Sequence, residues 1–135
     1  MLSVSKYPNA YIENCQRKID AQVAAFKKLK GGAELSAFEP LFFNHMLLAL
    51  DRYFNHRARG QELKDGNPLN EVRMLCTSIT DGDGKLQLDS TIKYQPGNSV
   101  LKLSIGDTIA LNCAAFEAIA EAFFVDLKKK FLAIR

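Results

Sequence analysis

The chain has no tryptophan, and its three cysteines, Cys15, Cys76 and Cys113, include no CxxC pair. An odd count without paired spacing excludes a closed disulfide framework and a thiolate zinc site. Each cysteine lies in an apolar stretch, where a free thiol packs as a small hydrophobe. Net charge is also small. Eighteen Lys and Arg against fifteen Asp and Glu leave +3, too little for an obligatory nucleic-acid binder, so nucleic acid is not an expected partner. No apolar run approaches the roughly 18 residues of a membrane span, and no membrane partner is expected. The opening residues MLSVSKYPNAY hold no apolar core of signal-peptide length, which makes a reducing cytoplasm the expected compartment.

Catalytic templates are missing too. There is no GxSxG elbow, P-loop, HExxH or GxGxxG after a strand, and no cofactor is expected. Asp81-Gly82-Asp83-Gly84 lacks the later oxygen ligands of a calcium loop and reads as a turn. No metal site is expected.

What is present is an ordinary globular supply, 47% hydrophobic over 135 residues. It suits a single globular domain spanning residues 1–135. The apolar spacing predicts a helix from about Asn9 to Lys30, with Ile12, Cys15, Ile19, Val23, Phe26 and Leu29 in one stripe before Gly31-Gly32. A second helix starts near Ser36 and runs to Gly60, burying Phe43, Met46, Leu47, Leu50, Tyr53 and Phe54. Asn67 as cap and Pro68 in the first turn open a third helix, to about Ser78. From residue 86 to 111 the period shifts to alternation. Ile92 and Tyr94, then Leu101, Leu103 and Ile105, flank Pro96-Gly97-Asn98 and predict a hairpin. Asn112 caps a last helix that buries Phe116, Ile119, Phe123, Leu127 and Phe131. Lys27, Lys28 and Lys30, like Lys128, Lys129 and Lys130, fall at helix C-termini, where the helix dipole favours cations. The expected fold is α+β, mainly α, a four-helix bundle-like domain with a small β-hairpin inserted before the last helix.

If the second helix runs unbroken to Gly60, His45, Arg52 and His56 share one stripe opposite the apolar face. The two histidines would stand about 16 Å apart along the axis, too far to share a metal ion. Arg52 and His56, one turn apart, could bind a small anionic ligand or serve as an acid–base pair. Glu71 is the carboxylate expected to reach Arg52 or His56 across the bend, with Arg73 joining a polar cluster. Asp65, Asn67 and Asn70 mark the loop as a second candidate site.

The runs FFNHMLLALDRYFNHRARG, KDGNPLNEVRMLC and IKYQPGNSVLKLSIGD resemble a family of small bacterial helical proteins of uncharacterised function. The resemblance covers about residues 36–131 and is most specific at KDGNPLNEVR, Lys64 to Arg73. It implies no activity or cofactor, and directs attention to the second helix, the loop after it and the start of the third. A looser similarity is to HEPN-type ribonucleases, whose Arg and His are separated by four to six intervening residues. Here only Tyr53, Phe54 and Asn55 separate Arg52 from His56, which rotates the histidine by about 100° from the family's nearest spacing. Two functions are therefore expected from the sequence. The first is a non-enzymatic binding or protein-interaction module, with a homodimer as one form of it. The alternative is a metal-independent HEPN-like ribonuclease or phosphate-handling enzyme using Arg52 and His56.

Overall fold

The computed structural model describes residues 3–133. They form five α-helices: α1 (Asn9–Lys27), α2 (Ala33–Arg52), α3 (Arg59–Glu62), α4 (Pro68–Thr80) and α5 (Cys113–Phe131). The protein is mainly helical, as the apolar periodicity predicts. α5 is the hub, packed against the other four helices, while α2 also rests on α1 and α4. Phe116, Ile119, Phe123, Leu127 and Phe131 give α5 a fully buried face, met by Phe43, Leu47 and Leu50 of α2 and by Leu69, Val72 and Leu75 of α4. Asn67 and Asn112 cap α4 and α5 through their side chains, accepting from the amides of Asn70 and Ala115, as their positions before those helices predict. No helix of the described residues is long and apolar enough to cross a membrane.

Three expectations are corrected. α1 stops at Lys27 rather than Lys30, and Leu29, outside the helix, is half exposed. α2 stops at Arg52 rather than Gly60, and the single turn α3 follows. Continued as a helix, residue 57 would fall on the buried phase of Leu50 and Phe54, where helical backbone bonds would occupy the carbonyls its guanidinium needs. The chain unwinds instead, which frees the Phe54 carbonyl to accept from the Arg57 guanidinium at 3.0 Å. The N-terminal segment seals this corner, the Val4 amide donating to His56 O and the Ala58 amide to Val4 O.

The third correction is the hairpin. Among the described residues there is no sheet, only the isolated bridges Val4–Arg57, Tyr7–Leu132 and Lys85–Thr108. Pro96–Asn98 forms one 3₁₀ turn, and the amides that a hairpin ladder would use are taken by side chains. Val100 and Leu101 donate to the Glu71 carboxylate at 2.8 and 3.0 Å, and Lys102 donates to Ser99 Oγ at 2.8 Å. Alternating apolar residues here mark an irregular segment laid over α4, with Ile92 buried and Leu101 and Leu103 half-buried. The backbone bonds that define a strand have gone elsewhere.

Candidate functional site

A buried guanidinium demands several acceptors at once. Arg57, fully withdrawn from solvent at its side chain, donates to Glu62 Oε1 at 2.8 Å, Asp51 Oδ1 at 2.9 Å, Phe54 O at 3.0 Å and Leu69 O at 3.2 Å. Its guanidinium also lies 5.3 Å from the ring centre of Phe123. Glu62 is equally buried and collects Arg57, the Nε and Nη2 donors of Arg73 and Asn70 Nδ2. Burial pushes its carboxyl pKa up, but hydrogen bonds and charge from Arg73 and Arg57 outweigh this and hold it below the usual carboxylate range. Two cations and two carboxylates balance in this cluster. It ties the end of α2 to α3 and α4.

The expected loop residues complete the same cluster. Asn70 is buried and accepts from the Gly66 amide at 2.9 Å while donating to Glu62 and to Leu63 O. Asn67 caps α4 and donates to Glu62 O and Asp65 Oδ1. Asp65 stays exposed, as a partner of Asn67. These three residues hold one another and the turn.

The geometry separates the other candidates. Arg73 joins Glu62 rather than Glu71. Glu71 is buried on the opposite side of α4's first turns, bound to the 100–101 amides. Burial raises its pKa, with the two amides and Lys102 opposing. Arg52 and His56 are both exposed, and their side chains make no hydrogen bond or ion pair with the described residues. His56 lies in the turn after α2, so the two do not occupy one helical face. His45 is exposed on α2, its Nδ1 2.9 Å from Leu41 O. The expected cluster of Arg52, His56, Glu71 and Arg73 thus divides into three places.

Sequence reasoning missed Arg57 and Glu62. Arg57 carried a usable signal, because a charge three and seven residues beyond Phe54 and Leu50 sits on their apolar phase. Glu62 carried none, being set by the turn that follows. Among the described residues no group of three or more His, Cys, Asp or Glu could hold a metal ion.

A further surface feature lies on α2. With Phe43, Met46, Leu47 and Leu50 buried, the opposite side carries Glu34, Phe38, Leu41, His45, Leu48 and Arg52, spaced alternately four and three residues apart. Phe38 is 44% exposed and Leu41 62%, while Leu48 is half-buried. Phe38, Leu41 and His45, with Phe42 and Met46, border a shallow cleft of about 370 Å³. No family model, curated protein or solved structure matches the chain.

Proposed function

We propose that the protein is a non-enzymatic protein-interaction module that docks a partner along the outward face of α2. The observation carrying this reading is the apolar character of the face opposite the core. On a helix with one side buried, that face is ordinarily polar or charged. Phe38 and Leu41 instead present large apolar side chains there, in line with Leu48, and a contiguous exposed apolar patch marks an interaction surface. The charged cluster at the C-terminal end of α2 favours a structural role over chemistry, since Glu62, Arg57 and Arg73 are engaged with one another.

A photoreactive residue placed at position 41, in the full chain expressed in cells, tests the reading. A discrete adduct of fixed mass is expected there, absent when the probe is moved to Val125 and lost on Phe38→Asp. Equal labelling at both positions, or none at position 41, overturns it. Arg52- and His56-dependent cleavage of single-stranded RNA by the purified chain would support the enzymatic alternative instead.

A further inference from the structure

We infer that the partner on this face is a second copy of the chain, its α2 packed antiparallel across a two-fold axis. This rests on the docking reading of α2 and names its occupant. The stripe Glu34, Phe38, Leu41, His45, Leu48 and Arg52 has the alternating spacing of a coiled-coil seam. It is also symmetric about position 43. Reversing the helix therefore sets Glu34 opposite Arg52, Phe38 opposite Leu48 and Leu41 opposite His45, each pair occurring twice under the two-fold.

Charge selects this arrangement. α2 carries four formally charged side chains, Glu34, Glu39, Asp51 and Arg52. Glu39 accepts from the Cys113 amide at 2.7 Å and Asp51 binds Arg57. Only Glu34 and Arg52 have no partner among the described residues, and these are the two that antiparallel pairing brings together. Parallel pairing would set Glu34 against Glu34 and Arg52 against Arg52, a like-charge penalty at both ends. Ala37 and Ala49, both exposed, are also symmetric about position 43 and flank the seam, so the helices can approach closely. A contact of about five helical turns is at the small end of specific interfaces, consistent with a dissociation constant of roughly micromolar order.

Sedimentation equilibrium of the purified full chain over a concentration series is the test. A monomer–dimer equilibrium is expected. Glu34→Arg and Arg52→Glu should each raise the dissociation constant by roughly ten- to thirtyfold, since each converts two attractive pairs to repulsive ones. The double variant Glu34→Arg/Arg52→Glu should return close to the parent value. Mixing the two single variants should produce a heterodimer tighter than either homodimer. Leu41→Asp should abolish association while leaving the far-ultraviolet circular dichroism spectrum unchanged. A chain that stays monomeric, or a dimer indifferent to the charge reversals, overturns the proposal. If it is monomeric while the position-41 adduct persists with another mass, the second copy is excluded and the docking reading stands. If the adduct is also missing, both fall.

Discussion

Arg57 and Glu62, five residues apart and on either side of one turn of chain, meet at 2.8 Å with both side chains fully withdrawn from solvent. The pair sits where the end of α2, α3 and the start of α4 converge, so its geometry determines how the chain leaves one long helix and enters the next. Removing one member strands the other among Phe54 O, Leu69 O, Arg73 and Asn70. Arg57→Met and Glu62→Gln should each destabilise by about 3–5 kcal/mol, the usual consequence of breaking a buried ion pair. The double variant should fall short of the sum by at least about 1 kcal/mol, because the two losses overlap. Urea denaturation of the four proteins measures this, and strict additivity would show that the two side chains are not coupled.

The helices, the caps Asn67 and Asn112 and most of the buried face are legible in the sequence because they follow from local spacing. Phe43, Leu47, Leu50, Leu69, Val72 and Phe123 are fully buried at their expected phases or packed beside them. What was not legible depends on contacts distant in sequence. Glu71 meets amides about thirty residues away, and no local pattern shows that it removes the donors a hairpin would need. Likewise, the stripe holding His45 and Arg52 reads as polar only when Phe38, Leu41 and Leu48 are left out. Asp65, Asn67 and Asn70 do come together, because a turn and its cap are short-range chemistry.

Gly66 is required on two counts. Its φ is +90°, in the left-handed region that side chains disfavour, and a Cβ there would lie 2.5 Å from Lys93 O. Lys93 cannot easily withdraw, since its amide donates to Lys64 O at 2.9 Å. Gly66→Ala should cost about 2–3 kcal/mol, combining left-handed strain with displacement of the 92–94 segment. A thermal midpoint within a degree or two of the parent would contradict this close approach.

The three thiols should react in a defined order. Cys15 and Cys76 are buried and Cys113 is partly exposed. Burial raises all three thiol pKa values, Cys76 the furthest, its Sγ donating to Leu47 O at 3.6 Å. Under native conditions a maleimide should label Cys113 first, with Cys15 and Cys76 reacting only as the chain unfolds. Mass mapping that finds Cys76 labelled before Cys113 would place the α2–α4 contact in error.

Glu71 and Glu62 should act oppositely on the pH dependence of stability. Glu62 has a folded pKa below its usual value. Its contribution is therefore complete above the ordinary carboxylate range and is lost as pH falls through the depressed value. Glu71 is raised from an ordinary value of 4.5 by burial, against the pull of the Val100 and Leu101 amides. Between that value and its folded one, the native state holds more protons than the unfolded chain, so its contribution declines as pH rises across the window. Glu71→Gln removes this slope. It also turns an amide –NH₂ toward one of the two backbone N–H donors, at a cost of about 1–2 kcal/mol. The stability gap between the parent and Glu71→Gln should consequently be widest near pH 4 and narrow as pH rises. Denaturation curves at a series of pH values provide the check. A gap that widens with pH would mean that the bond to the 100–101 amides outweighs burial, leaving Glu71 a stabilising anion rather than a desolvated one.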